Sequence, residues 1–475
     1  MVADVALYTV VHQPRRLKLP AQPIPRGASL EDIARCLFDE ALNERYFRQV
    51  AQNCYYPATR MFLDLVRHGL RLSIGFSLSF LQQAQAWEPS LLDLFRELVA
   101  EERVELLGVE PYHSLLFLFD LPAFEASMRK MAEDLHTIFG KRPHIVDSTE
   151  LAMSAPLYNA LDAAGFQGAL MDGQAHILGW RDCTYLYRYG DEGAYARPIA
   201  ARRLRAREER SSHAPLLFAR HRQLSDDVGV RFSDIRWSDF PLYATTYASW
   251  LAQTPGEQLV LGWDFETFGE RHSRGSGIFD FLRALPGELE HIGIQTHTLS
   301  ELGERHLAGA YYLPLPVTPA LQGGSLDPEG GSEYVATSAQ RRLLQLMSAV
   351  HNMARLTEQP ALVDIAHWLS QVDHLRYADV SAQIAPFLPR EWRHLEVPEL
   401  IYEQQQVYLN TLHAMEPYLP ARAARRVKPR ARPLKRQHAP VDADVLQEEA
   451  SFATPKPRPR RRQRELAAPT PTPKS

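Results

Sequence analysis

Short apolar runs of strand character alternate with longer stretches of helical periodicity, and this alternation limits the possible folds more than any other feature. The runs lie at Ala3–Val11, Arg71–Ser77, Val104–Val109, His144–Asp147, Gly168–Met171 and Gln258–Asp264. Helical patterns at Leu30–Ala51, Ala58–His68, Pro122–Phe139 and Ala155–Ala164 fall among them. Strands that are apolar throughout are covered on both faces. The pattern therefore predicts an α/β fold, a parallel sheet wrapped by helices and closed or nearly closed into a barrel. Gly69 and Gly165 follow two of the helical patterns closely, where a stop residue belongs. No dinucleotide fingerprint or phosphate-binding glycine loop interrupts the rhythm, which argues against a Rossmann enzyme or nucleotidase.

After about residue 290 the pattern changes. Leu302–Ser332 is rich in Pro and Gly, and Thr337–Glu358, Pro360–Val372 and Pro398–Met415 read as amphipathic helices. The expected division is a barrel over 1–290, a helical region packed on it over 291–418, and a tail over 419–475. From Ala421 to Ser475 there are 15 Lys and Arg against 5 Asp and Glu, with nine of the 34 prolines, so the chain's net charge of −4 conceals a basic tail on an acidic body. Such a composition predicts a disordered arm. Its candidate partners are nucleic acid, an acidic protein or the acidic body itself, and the plainer reading is a solvated tail without a dedicated partner. Cys36, Cys54 and Cys183 have no metal-ligand spacing and predict neither a disulfide framework nor a zinc site. Asp4 stands where a signal peptide would be basic, and no apolar stretch approaches the ~18 residues needed to span a bilayer, so a cytoplasmic protein without a membrane segment is expected.

The chemistry concentrates where strands end. Leu259–His272 is an apolar run that closes abruptly in Trp263, Asp264, Phe265, Glu266, Glu270 and His272, which is how a barrel strand delivers polar side chains to its C-terminal rim. On an extended strand Asp264 and Glu266 would share one face, with Phe265 on the other. Three further constellations sit at strand ends: His12-Gln13-Pro14, Glu105 to Ser114 with Glu110 and His113, and Asp147-Ser-Thr-Glu150. Asp226 lies in a polar tract, Arg222–Phe232, between the third and fourth. Singly, such a histidine satisfies a loop carbonyl and such an acid caps a helix. Together they would converge on one rim. Two carboxylates on opposing strands are the minimum for glycoside hydrolysis, about 5–5.5 Å apart in a retaining enzyme and wider in an inverting one. Trp180, Tyr185, Tyr187, Tyr189 and Tyr195, in the long segment Asp172–Arg220, are of a kind that stacks on sugars, although packing of a long insertion explains each equally well.

These motifs resemble glycoside hydrolase family 57, in particular its α-amylase-like members. His12-Gln13-Pro14 is similar to the family's opening motif, Ser148-Thr-Glu150-Leu to its nucleophile region, and Trp263-Asp264-Phe-Glu-Thr-Phe-Gly-Glu270 to its acid/base region. Leu224-Ser-Asp-Asp227 and Gly275–Pro286 also resemble that subgroup. The resemblance covers about residues 5–290. It implies an incomplete (β/α)7 barrel followed by a helical region, Glu150 as nucleophile, Asp264 as general acid/base, and no metal or organic cofactor. His12, Gln13, Glu110, His113, Trp263, Asp226 and Glu266 would hold substrate, the last two also by orienting arginines or the acid. For the chemistry Asp264 is expected to have a raised pKa while Glu150 stays ionised.

Two departures stand out: Val109 occupies the position expected for a family acid, with Glu110 one place on, and Val372–Tyr377 is only distantly similar to a helical region that normally gives aromatic and acidic residues to the cleft. The expected activity is retaining hydrolysis of α-1,4-glucans or malto-oligosaccharides. Glucanotransfer or branching on the same carboxylates and a non-catalytic glucan-binding barrel are the alternatives. A metal-dependent deacetylase is disfavoured because His12, His113 and the acids have no compact ligand spacing along the sequence.

Overall fold

The computed structural model describes residues 2–190, 214–321, 324–325, 334–379 and 388–420. Tyr195, residues 322–323 and 326–333 of the Pro/Gly-rich stretch, and the basic tail beyond Pro420 lie outside the described residues. The main sheet has ten strands: β1 (Asp4–Val11), β2 (Leu72–Phe76), β3 (Val104–Val109), β4 (Ile145–Asp147), β5 (Gly168–Asp172), β6 (Leu186–Tyr189), β7 (Leu216–Arg220), β8 (Gln258–Asp264), β9 (Gln295–His297) and β10 (Tyr311–Leu313). Seven of these run parallel in the order β1-β2-β3-β4-β5-β7-β8, and β8 returns to β1 over seven residue pairs, Asp4 opposite Gln258 through Val10 opposite Asp264. The last seam, β7 to β8, is a single pair, Arg220 opposite Val260. The other edge partner of β7 is the antiparallel β6. This is an incomplete (β/α)7 barrel.

Every expected strand is present, because burial covers both faces of the sheet: Val5, Leu7, Ile74 and Leu106 lie in one core cluster, and Ala6, Tyr8, Leu107 and Val260, on the opposite face, lie in another. One strand of the barrel, with the same kind of apolar run at Leu216–Ala219, was not among those expected. The segment Asp172–Arg220, expected as a long connection, contains both β6 and β7. The expected helix Leu30–Ala51 is two helices, Leu30–Leu37 and Glu40–Val50, because Phe38 is extended and the Asp39 carboxylate accepts from Leu42 N at 3.0 Å, starting a new helix. It continues into a π turn, Ala51–Tyr55, a geometry often found at functional sites because its extra residue re-aims side chains.

The helices Ser338–Thr357, Pro360–Leu369 and Val397–Met415 share a core with the β4–β5 side of the barrel. Tyr112 and Leu116 pack in the same cluster as Trp368 and Leu369. A short helix, Val372–Arg376, is thereby held over the barrel rim, and Val372 N donates to His113 O at 2.9 Å. No helix among the described residues is long and apolar enough to cross a membrane.

Candidate active site

A cavity of about 770 Å³ opens at the C-terminal ends of the strands, lined among others by His12, Gln13, Asp147, Glu150, Asp264 and Asp373. Its floor is fixed by a close approach. A Cβ on Gly262 would lie 2.0 Å from the Tyr8 ring, so only glycine on β8 lets Tyr8 cross beneath the site.

Glu150 follows β4 in a tight 3-10 turn and has left-handed backbone angles, φ 56° and ψ 33°, as does Leu151 with φ 52°. For a residue with a Cβ this costs roughly 1–2 kcal/mol, a strain that cavities with a function commonly carry. Ser154, not Glu150, caps the next helix, its hydroxyl accepting from Leu157 N. The Glu150 carboxylate is therefore free for the cavity, where its Oε1 lies 3.6 Å from His113 Nε2 and 3.7 Å from Arg376 Nη2.

His12 and His113 are joined by a residue the sequence reading did not single out. Asp373 Oδ2 is 3.0 Å from His12 Nε2 and 3.4 Å from His113 Nδ1, while His12 Nδ1 meets Ser77 Oγ at 2.8 Å. Burial lowers the pKa of His12. Burial also opposes charge on His113, but the adjoining Asp373 and Glu150 carboxylates override it and raise its pKa to about 9. Asp373 is held well below the usual carboxylate range, its burial outweighed by the two imidazoles. These three side chains are the group among the described residues whose donor atoms, within 4.8 Å of one another, have the spacing to hold a metal ion. Thus residues without compact spacing along the chain acquire it in space. Their mutual hydrogen bonds account for all three donor atoms without a cation.

On the opposite wall β8 ends at Asp264, and the chain turns into a 3-10 segment, Phe265–Thr267, instead of continuing extended. Asp264 and Glu266 still both face the cavity. The anchor is Phe265, fully buried against Tyr55, Phe62 and Phe95 at centroid distances of 6.2, 5.6 and 5.5 Å. Removing its ring would cost about 3–5 kcal/mol and release both acids. Glu266 Oε1 accepts from Tyr55 OH at 2.7 Å; Tyr55 OH in turn accepts from the Gln13 amide at 3.0 Å, and Gln13 Oε1 accepts from Arg16. Burial raises the Glu266 pKa to about 8 and that of Asp147 to about 7.

The expectation of a raised pKa at Asp264 is not met. Burial pushes it up, but Arg271, whose Nη2 is 2.9 Å from Oδ2, together with Arg376, Arg220 and His113, brings it below the ordinary value. More than half of the side chain, 62%, is exposed to the cavity, so solvent screening weakens each of these charges. A bound ligand that excludes water or displaces Arg271 would raise it.

Asp226 lines the cavity and acts on arginines, pairing with Arg220 Nη2 at 2.7 Å and Arg222 Nε at 3.4 Å. Trp263 reaches the cavity wall but is 5% exposed and donates from Nε1 to Ser225 O at 3.0 Å. Glu110, expected to hold substrate, does not line the cavity: it is fully buried and accepts from Tyr112 N, Ser114 N and Ser114 Oγ. The one-place displacement turned it inward, where it holds the turn that carries His113 at φ 55°. The aromatics of the segment after β5 also point elsewhere. Tyr187 is buried with its hydroxyl on Asp182 O, Tyr185 packs on Tyr311, Tyr189 on Tyr158, and Trp180 is 84% exposed away from the lining. The packing explanation holds for Tyr185, Tyr187 and Tyr189, while Trp180 neither packs in the core nor lines the cavity.

Sequence reasoning missed Asp373, Arg376 and Tyr334, all from the helical region. The available signal was the segment Val372–Tyr377, which despite its distant similarity holds an acid, Asp373, and an aromatic, Tyr377, that both line the cavity. Several donors in the wall have no hydrogen-bond partner: Arg16 Nε, Arg220 Nη1, Thr149 Oγ1 and Thr267 Oγ1. All four atoms are covered from the cavity by the protein itself.

With this geometry in hand, residues 6–314 match the family model described as Glycosyl hydrolase family 57. A putative alpha-amylase from Methanocaldococcus jannaschii is 28% identical over 421 residues, covering 86% of this chain and 83% of that protein. Among solved structures, a GH57-type branching enzyme from Pyrococcus horikoshii aligns with TM-score 0.53 at 15% identity over 89% of this chain and 97% of its own. A 4-alpha-glucanotransferase from Thermococcus litoralis aligns with TM-score 0.52 at 14% identity over 88% of this chain and 60% of its own length. At these identities the structural likeness concerns the fold alone.

Proposed function

The chain belongs to glycosyl hydrolase family 57, and on that premise we propose that it is a retaining hydrolase of α-1,4-glucans or malto-oligosaccharides, with Glu150 as nucleophile and Asp264 as acid/base. One observation carries the reading. Two carboxylates from opposed strand ends, β4 and β8, line a single cavity together with the imidazoles of His12 and His113, groups suited to sugar hydroxyls. In the first step Glu150 Oε attacks the anomeric carbon while a protonated Asp264 gives its proton to the departing glycosidic oxygen. In the second, Asp264 takes a proton from water, which displaces Glu150. Arg271 must loosen from Asp264 for the first step, and an incoming sugar that excludes water at the rim favours the neutral acid. His12 and His113, held by Asp373, would donate to or accept from the hydroxyls of the reacting sugar.

Transfer to an acceptor sugar uses the same carboxylates, and the similar solved proteins include a glucanotransferase and a branching enzyme. Hydrolysis is the reading preferred here because the relative matched over 86% of this chain is a putative alpha-amylase. Product analysis of malto-oligosaccharides and glycogen incubated with wild type, Glu150→Gln and Asp264→Asn tests both. Shorter sugars from wild type alone are expected, with each variant slowed at least about a thousandfold. Longer products would overturn hydrolysis in favour of transfer. Binding without turnover would overturn the enzyme reading.

A further inference from the structure

The helical region gives the site the acidic and aromatic groups that the resemblance implied, Asp373 and Tyr334, and adds a cation, Arg376. Arg376 lies on the short helix Val372–Arg376 with its Nη2 3.7 Å from Glu150 Oε1, and the same nitrogen donates to Tyr334 OH at 2.6 Å. Tyr334 is 2% exposed, and its hydroxyl in turn engages the Glu150 carboxylate. Guanidinium, phenol and carboxylate thus form a closed triangle. Two of its corners come from residues 334 and 376, outside the barrel strands, and the third sits on a strained turn after β4.

We propose that Arg376, bridged by Tyr334, is a positioning residue for Glu150 that favours release of the sugar from the nucleophile. This rests on the reading of Glu150 as the nucleophile. When Glu150 bonds to the anomeric carbon its negative charge is consumed, and the guanidinium loses a counter-ion. When water attacks that carbon, the bond from the anomeric carbon to Glu150 Oε breaks, the electron pair returns to the carboxylate, and the water proton passes to Asp264. A fixed cation beside Oε therefore stabilises the leaving carboxylate of the second step and works against the first. The orientation matters as well as the charge. Tyr334 OH accepts from the arginine and donates to the carboxylate, which fixes the acid against rotation in a turn whose backbone angles already disfavour it. A purely structural role, tying the helical region to the barrel, would not distinguish between the two steps.

The test uses the full chain and an α-linked substrate with a good leaving group, such as an aryl maltoside. Arg376→Met, Arg376→Lys and Tyr334→Phe are compared with wild type by steady-state kinetics, the pre-steady-state burst, and intact mass after rapid quenching. Arg376→Met is expected to lower kcat and KM together by about tenfold or more, leaving kcat/KM within about threefold. A burst of leaving group and a glycosyl adduct absent from Glu150→Gln should accompany it. Arg376→Lys should restore part of the rate and Tyr334→Phe should fall between. A loss of kcat/KM without adduct in all three variants, or an unchanged kcat in Arg376→Met, would overturn the proposal. Should Arg376→Met fail to fold, the lysine and phenylalanine variants carry the same comparison. If the wild type forms no adduct and turns over no α-linked substrate, the nucleophile reading falls, and this inference with it. A wild type that turns over while the variants miss the pattern overturns this inference alone.

Discussion

Two aspartates in this molecule are each bridged by a pair of imidazoles, one at either end of the same barrel. At the rim Asp373 binds His12 and His113 through one oxygen, and at the base Asp4, the first residue of β1, binds His297 Nε2 at 3.0 Å and His306 Nε2 at 3.0 Å. The chemistry of the groups is the same, but their surroundings differ. Arg305 Nε completes the base cluster at 2.8 Å, and Asp4 pairs through its backbone with both β8 and β9, so the cluster pins the returning chain to the first strand. The rim cluster opens into the cavity beside Glu150 and Arg376. The strand end on which a charged cluster stands sets its surroundings: the cluster at the N-terminal face ties strands together, and the cluster at the C-terminal face lines the cavity, where barrel enzymes carry out their chemistry.

The contrast is sharpest under substitution of the two aspartates. Asp373→Asn keeps the shape but removes the charge that holds both imidazoles, and is expected to lower kcat/KM by roughly a hundredfold, a loss typical of a displaced active-site hydrogen-bond network. Its melting temperature should move little. Asp4→Asn should do the reverse, leaving kcat/KM within about twofold and lowering stability by about 2 kcal/mol, less than a fully buried pair because Arg305 is half exposed. Parallel assays and thermal melts of the two variants check this. Equal activity losses in both would break the distinction between rim and base.

The base cluster also has a pH signature. Burial pushes the Asp4 pKa up, but its hydrogen bonds to Arg305 and His297 outweigh burial and hold it below 3.8. A carboxylate with a lowered folded pKa contributes stability that is fully present above its unfolded value and is lost as pH falls through the folded one. The melting difference between wild type and Asp4→Asn should therefore be constant above about pH 5 and shrink below about pH 4. A difference that grew on acidification would reverse the sign assigned to Asp4.

The same division explains what the sequence could reveal. The barrel strands are legible because burial on both faces writes unbroken apolar runs; β7 has such a run, Leu216–Ala219, but it stands at the end of a long segment without helical rhythm and was counted as part of it. Glu150 and Asp264 are legible because a strand end is a local feature. Asp373 and Arg376 were not, since they reach the site from a helix more than 200 residues beyond Glu150, and nothing in their local pattern records that approach. Glu110 and His113 show the limit from the other side. Adjacent in one motif, they separate in space because a turn sends one inward to bind backbone amides and the other into the cavity.

The smallest expected effect concerns metal. His12 Nε2, His113 Nδ1 and Asp373 Oδ2 are spaced as ligands of a divalent cation would be, with 3.0 and 3.4 Å separations close to the edges of a tetrahedral or octahedral shell at ~2.1 Å bond lengths. At the base, His297, His306 and Asp4 offer the same donor types, but Arg305 brings a positive charge to the same carboxylate oxygen as His306, which disfavours a cation. If the rim triad acts on sugar hydroxyls through hydrogen bonds alone, prolonged dialysis against a chelator should leave kcat and KM unchanged within error, as it should leave the melting temperature. Loss of activity restored by zinc, with stability unaffected, would make Asp373 a metal ligand. The two aspartates would then differ in chemistry as well as in place, and the roles of His12 and His113 would pass from sugar contacts to metal ligation.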